Sequence, residues 1–262
     1  MKLPIYQVDA FTERLFGGNP AAVCPLEEWL PDATMQAIAA ENNLSETAFF
    51  VREEGGYLLR WFTPEIEVDL CGHATLASAF IIFQFLEPAK RTIAFRTLKA
   101  GVLSVTREGD LISMDFPSRP ATPTASDPAL AAALGKAPLG VRVARDHMAI
   151  YEHAADIAGL SPDFRALGKL DCFSVIVTAP GENGVDFVSR FFGPAQGIDE
   201  DPVTGSAHCT LIPYWAERLG KTEGLQARQL SRRGGALTCG LKGDRVSIAG
   251  RAILYLKGEI DI

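Results

Sequence analysis

Aromatic and β-branched residues gather in short runs at 5–8, 48–51, 57–62, 93–95, 102–106 and 111–116, and again at 173–178, 185–192, 227–230, 245–248 and 253–256. Runs of this length and composition predict β-strands. Two segments break the pattern. Residues 74–86 are apolar on nearly every side, interrupted only by Thr75, Ser78 and Gln84, and 210–216 behaves similarly until Glu217-Arg218. A helix with almost no polar face has to be buried on most sides, so each segment predicts a central helix with sheet wrapped around it. Peripheral helices carry polar start signals. Asp32 is expected to cap one through Met35, Ile38 and Ala39, Asp127-Pro128 opens one that stops at Gly135, and Ser161-Pro162 opens one that stops at Gly168. Pro213 predicts a kink in the second central helix.

The order of strand, proline-containing loop, glycine and apolar helix occurs twice. Arg60-Trp61-Phe62-Thr63-Pro64 is answered half a chain later by Arg190-Phe191-Phe192-Gly193-Pro194, and Gly72-His73-Ala74-Thr75 by Gly205-Ser206-Ala207-His208. The pattern predicts an α+β chain of two pseudo-symmetric domains, 1–117 and 118–262, each a β-sheet wrapped around a central apolar helix. The proline-rich stretch 117–123 is the expected junction. A variant in which the last strand returns to the first domain stays open.

Composition fits that picture: 262 residues, 47% of them hydrophobic and 22% charged, can fill cores of this size. The formal net charge is −7 with no long run of either sign, and Arg232-Arg233 reads as a solvated turn. Nucleic acid and an anionic membrane surface are therefore not expected partners. The start, Met1-Lys2-Leu3-Pro4, lacks the apolar stretch of a signal peptide, and 74–86 is too short to span a bilayer. Cys24, Cys71, Cys172, Cys209 and Cys239 are odd in number and form no CxxC pair. They predict reduced thiols in a cytoplasm rather than disulfides or structural zinc. No metal is expected, because His73, His147, His153 and His208 show no ligand spacing.

Candidate chemistry concentrates at the two glycine turns. Gly72 and Gly205 stand just ahead of the central helices, where backbone can approach a ligand and the first N–H groups have no partner within the helix. Two such ends make an anion site suited to a carboxylate, although tight strand-to-helix turns alone would explain either glycine. Glu46 leads Leu44-Ser45-Glu46-Thr47-Ala48-Phe49-Phe50-Val51 into an apolar strand, and strand parity puts it on the face of Leu44, Ala48 and Phe50. A carboxylate there is partly desolvated, which moves it toward the range of a general base. The alternative is an exposed strand end with no role.

Four motifs, in order along essentially the whole chain, carry a family resemblance. They are Asn19-Pro20-Ala21-Ala22-Val23, Asn42-Asn43-Leu44-Ser45-Glu46-Thr47-Ala48-Phe49, Cys71-Gly72-His73-Ala74-Thr75 and Asp201-Pro202-Val203-Thr204-Gly205-Ser206-Ala207-His208. Together they resemble the PhzF-like isomerases, named for phenazine biosynthesis, whose fold is that of diaminopimelate epimerase. The resemblance implies an active site between two pseudo-symmetric domains, catalysis without a cofactor, and a homodimer. It implies that Glu46 takes a proton from carbon and returns it to a different carbon, while His73, Asp201 and Ser206 hold the substrate and assist. Backbone at Gly72 and Gly205 would contact substrate oxygens, with Asn19 and Ser45 nearby. One departure matters. Related racemases of this fold use a cysteine at each glycine turn, whereas here Cys71 has no counterpart in Asp201-Pro202-Val203-Thr204, so two-cysteine racemisation is not expected. Cys71 is left as either a base or a small buried residue at a helix start. His208 reads as a hydrogen-bonded core histidine, Cys209 as core, and His147 and His153 have no assigned role.

The favoured reading is an isomerase or epimerase that shifts a proton on a small anionic metabolite. A hydrolase with Cys71 as nucleophile and His73 as base is disfavoured by their i, i+2 spacing. A small-molecule-binding protein with the same cleft and no chemistry is the alternative from another class.

Overall fold

The structure is a computed structural model describing residues 1–125 and 127–262. Its contacts divide the chain into two compact units, Met1–Asp115 together with Ala249–Ile262, and Phe116–Ile248. Among the described residues no helix is long and apolar enough to cross a membrane.

In the first unit, Lys2–Ala10 pairs antiparallel with both Asn19–Leu26 and Ala252–Asp261, so the last strand belongs to this unit. Asn19–Leu26 runs parallel to Glu46–Glu53, which turns back antiparallel as Gly56–Phe62. Gly56–Phe62 is in turn parallel to Thr92–Thr97, and Val102–Glu108 and Leu111–Pro117 extend the meander. The helix Asp32–Asn42 presses Met35, Ile38 and Ala39 against Cys24, Phe49 and Phe62. The alternate residues Ala21, Val23, Ala48 and Phe50 are buried as well. These inner strands are thus covered on both faces, which is why they read as unbroken apolar runs rather than as alternation.

The first central helix, Gly72–Ile81, packs against the strands Lys2–Ala10, Asn19–Leu26 and Glu46–Glu53 and buries every residue except Gly72 and Phe80. Its polar residues return their hydroxyls to the backbone: Thr75 Oγ1 donates to the Cys71 carbonyl at 2.6 Å and Ser78 Oγ to that of Ala74 at 2.8 Å. The expected helix over 74–86 does not stay α to its end, because Ile82–Leu86 forms a wider π turn closed by Glu87 N–H on Ile82 O.

In the second unit, Thr122–Thr124, Gly140–Val143 and His147–Ile150 pair antiparallel in turn. His147–Ile150 is parallel to Val175–Pro180, which is antiparallel to Phe187–Phe192. Phe187–Phe192 is parallel to Leu225–Gln229, and Gly235–Lys242 follows antiparallel. The second central helix, Gly205–Leu219, enters after Phe187–Phe192 just as the first enters after Gly56–Phe62. The alternation of antiparallel and parallel pairings is the same in both units. So is the arginine of the repeated motif. Arg60 grips Glu67 with Nε and Nη2, each at 2.7 Å, and lies 5.1 Å over the Phe62 ring. Arg190 grips Glu200 at 2.7 and 2.9 Å and lies 4.9 Å over Phe192. In each unit the fork ties the end of a strand to the loop that leads to the central helix.

Several local expectations are corrected. Asp32 does not cap its helix: Pro31 holds the cap position, and the Asp32 carboxylate faces Arg60 at 2.9 Å instead. Ser161-Pro162 does not open the helix that ends at Gly168, because Asp163 caps Phe164–Leu167 by accepting from Ala166 N–H at 2.9 Å. Asp127 does accept from Ala129 N–H at 2.8 Å, and that helix stops at left-handed Gly135. The second central helix continues through Pro213, which has no N–H to offer the Cys209 carbonyl; Arg119 N–H fills that place at 2.9 Å.

Candidate active site

The parallel pairing of Asn19–Leu26 with Glu46–Glu53 sets Ala21 opposite Glu46, so both strand starts lie side by side. The first central helix packs on these strands and delivers His73 from its first turn. Four of the expected site residues of this unit meet there. Asn19 Nδ2 is 3.1 Å from His73 Nδ1, Cys71 Sγ is 3.5 Å from the same nitrogen, and Glu46 Oε2 is 3.2 Å from Nε2. An amide nitrogen only donates, so Nδ1 accepts and the imidazole proton sits on Nε2, toward the carboxylate. That last contact is close but not aligned as a hydrogen bond, a state that a bound substrate can tighten. Burial pushes the His73 pKa down from 6.5 to about 3, so the ring is neutral near pH 7. The Glu46 side chain is 13% exposed, enough for a substrate to reach it.

Leu44, in contrast to the parity argument, packs with Phe49 and Val51 beside Met35. The chain enters the strand only at Glu46, so alternation does not extend back to Leu44. Ser45 is half-buried and joins the cluster by sequence adjacency only. Cys71 holds the cap position of the helix in an extended conformation and does not cap the first-turn N–H groups with its side chain.

Glu46, Cys71 and His73 each present one potential ligand atom, all within 4.8 Å of one another. The thiol stands at Nδ1, where Asn19 already donates, and the carboxylate stands at Nε2. An ion on Nδ1 would displace the Asn19 amide, and an ion on Nε2 would move the imidazole proton to Nδ1, where that amide now donates. The arrangement is built as a chain of polar contacts through one imidazole, not as donors converging on a point.

The second unit assembles a different group. Thr204 caps no helix N–H with its side chain; its hydroxyl donates to Asp201 Oδ2 at 2.5 Å. Gln229 holds this turn from the neighbouring strand: Nε2 donates to Asp201 O at 2.8 Å and to Thr204 Oγ1 at 3.1 Å, while Oε1 accepts from Thr204 N–H at 2.9 Å. The side-chain hydrogens run one way, from the Gln229 amide to the Thr204 hydroxyl to the Asp201 carboxylate. Gly205 is buried at the helix start, and the Ser206 hydroxyl accepts from Arg145 Nη2 at 3.1 Å. His208 is fully buried with Nδ1 2.8 Å from the Thr204 carbonyl, and burial lowers its pKa to about 4. The Cys209 thiol is pushed up to about 11, chiefly by burial.

Sequence reasoning missed Thr204, Gln229 and Arg145. Thr204 lies inside the fourth motif, which assigns it no role. Gln229 and Arg145 carry no local motif and reach the turn through strand pairing and a hairpin.

This geometry can be set against known proteins. The family model described as phenazine biosynthesis-like protein matches residues 8–258. An uncharacterized isomerase of Pseudomonas aeruginosa is 52% identical, covering 100% of both chains. The chain belongs to the phenazine biosynthesis-like (PhzF) family. It is an isomerase. A crystal structure of a PhzF-family protein from Enterococcus faecalis superposes with a TM-score of 0.97 at 50% identity, over 100% of each chain. A hydroxyproline epimerase from Agrobacterium vitis, at 11% identity and a TM-score of 0.62 over 99% of this chain and 92% of that one, shares the fold alone. The α+β, diaminopimelate epimerase-like class expected from the sequence is thus the class observed.

Proposed function

We propose that this PhzF-family isomerase moves a proton between positions of a small carboxylate-bearing metabolite without a cofactor, with Glu46 as the general acid and base. The observation that carries the reading is the half-enclosed Glu46 carboxylate 3.2 Å from the Nε2–H of a buried, neutral His73. A neutral imidazole donates a hydrogen bond without becoming a competing base, and Asn19 fixes its tautomer. In this reading Asp201 and Ser206 hold the substrate, the N–H groups at Gly72 and Gly205 take its oxygens, and Cys71 and Ser45 shape the surroundings. The homodimer implied by the family resemblance and the cytoplasmic setting read from the cysteines belong to the same proposal. Light scattering on the purified chain tests the dimer.

Incubation with small carboxylates in D₂O, followed by proton NMR, tests the chemistry. Deuterium is expected to enter a C–H position with the native protein and not with Glu46→Gln. Exchange that survives Glu46→Gln and disappears with Cys71→Ala would transfer the role of base to the thiol, whose Sγ lies 3.5 Å from His73 Nδ1. Carboxylate binding with no exchange in any variant would favour a binding protein.

A further inference from the structure

Within the first unit, Ala252–Asp261 pairs with Lys2–Ala10 along one edge, and among the described residues no strand pairs with its other edge. Met1 and Ile262 exchange both of their backbone hydrogen bonds. Bonded and non-bonded pairs alternate along an antiparallel ladder, so the bonded pairs that follow are Leu3 with Ile260, Ile5 with Gly258 and Gln7 with Leu256. Pro4, which has no N–H to give, falls opposite Glu259 at a non-bonded pair, as this alternation requires. The backbone N–H and C=O groups of Lys257, Glu259 and Asp261 therefore point away from Lys2–Ala10, toward the open edge. Tyr255 is the extra residue of a bulge, because the register jumps from Leu256 opposite Gln7 to Leu254 opposite Val8. The regular part of the open edge is thus 256–261.

Open strand edges are commonly blunted by shortness, by lysine or by a covering element. Here the lysine is answered by an acid two residues on, and apolar surface is left open beside it. Tyr255 is 48% exposed and Leu256 42%. Phe16, itself exposed, meets the Tyr255 ring edge-on at 5.8 Å and continues the apolar surface past the strand. Lys257, Glu259 and Asp261 share one face of the strand, where Lys257 Nζ lies 5.0 Å from the Phe85 ring, and Leu256, Gly258 and Ile260 share the other.

The segment complements itself in one register. Between two antiparallel copies related by a two-fold axis, only outward-pointing residues form bonded pairs. Lys257 facing Lys257 opposes like charges, and Lys257 facing Asp261 sets Glu259 against Glu259. Lys257 facing Tyr255 runs into the bulge. Lys257 facing Glu259 places the axis at Gly258, opposes lysine to glutamate on both sides of it, and sets Leu256 against Ile260 on the other face.

We propose that two copies of this chain join edge to edge along 256–261 about a two-fold axis at Gly258, continuing one sheet across the dimer. The interface rests on the homodimer reading and names its surface, and it is independent of the proton chemistry. Each Lys257–Glu259 pair supplies two backbone hydrogen bonds as well as opposite charges.

Light scattering over a dilution series reads the dimer dissociation constant of the full chain. Lys257→Glu should raise it about tenfold or more, and so should Glu259→Lys, because each opposes like charges twice. An equimolar mixture of the two single variants, and the chain carrying both substitutions, should return to within about threefold of the native value, since lysine again faces glutamate. Gly258→Cys reads the register. A non-bonded antiparallel pair holds its Cα atoms about 4.5 Å apart, within the range of a disulfide, and a Cβ at Gly258 meets nothing nearer than Leu256 Cδ2 at 3.8 Å. Copper-phenanthroline oxidation should link the introduced thiols into a covalent dimer, with the native chain as the control for its own five cysteines. Circular dichroism confirms that each variant is folded. A native chain that scatters as a monomer at every concentration would overturn both the homodimer reading and this interface. A dimer that the single variants do not weaken, that does not recover in their mixture, or that Gly258→Cys does not link would overturn this interface and leave the homodimer standing.

Discussion

At the first central helix the glycine is preceded by Cys71 and followed by His73; at the second it is preceded by Thr204 and followed by Ser206. The surrounding frames match, down to the arginine fork that ties strand to loop, Arg60 with Glu67 and Arg190 with Glu200. What differs is the chemistry mounted on them. The first turn brings together a carboxylate, an imidazole, a thiol and an amide, groups that move or direct protons. The second is furnished with hydroxyls, a glutamine clamp and a guanidinium, groups that hold oxygens in place. Two similar frames thus carry different side chains at their glycine-led helix starts.

The comparison can be broken most sharply at Glu46. Glu46→Gln should lower deuterium exchange by about three orders of magnitude while the melting temperature stays near that of the native chain; a loss under tenfold would place the proton-moving group elsewhere. The two histidines give the next test. His73 and His208 are both neutral when folded, with pKa values lowered from 6.5 to about 3 and about 4. Below pH 6.5 the unfolded chain binds protons that the folded chain refuses, so stability should fall as the pH drops from about 6.5 toward 4. Denaturation at stepped pH should show His208→Phe flattening that fall, an effect on the order of a few kcal/mol, without moving the exchange rate at pH 7. Thr204→Val removes the relay from Gln229 to Asp201 and should slow exchange about tenfold, with Thr204→Ser recovering most of it. Equal loss in both variants would mean that volume, not the hydroxyl, matters there. Cys71→Ala should change exchange by less than about threefold; a larger loss would erase the distinction between a proton-moving carboxylate and a bystander thiol.

Much of the architecture was visible in the chain. The two glycine-led apolar helices announce their burial through the lack of a polar face, and the repeated arginine-aromatic motif marks equivalent strands in both units. Other elements stayed hidden for physical reasons. Asn19–Leu26, with Pro20 and Pro25, is not among the predicted strands, yet it forms a strand that is parallel to one neighbour and antiparallel to the other. Asp32 resembles a cap until Arg60, distant in sequence, claims its carboxylate. The Glu46–His73 contact was reachable only through motif resemblance, since the residues are brought together by a parallel strand pair and a helix crossing it. Arg145 and Gln229 had no local signal at all, because their partners lie on other elements and no spacing rule links them.

The strand Ala252–Asp261 closes against Lys2–Ala10, so two segments separated by the whole second unit in sequence end as neighbours. During translation the first unit must wait with an unzipped edge on Lys2–Ala10 while the whole second unit emerges. The second unit draws its paired strands from one continuous stretch and can fold on the ribosome first. Stalling synthesis before Ala252–Asp261 leaves the ribosome should therefore give a nascent chain whose second unit resists protease while its first unit is still cut.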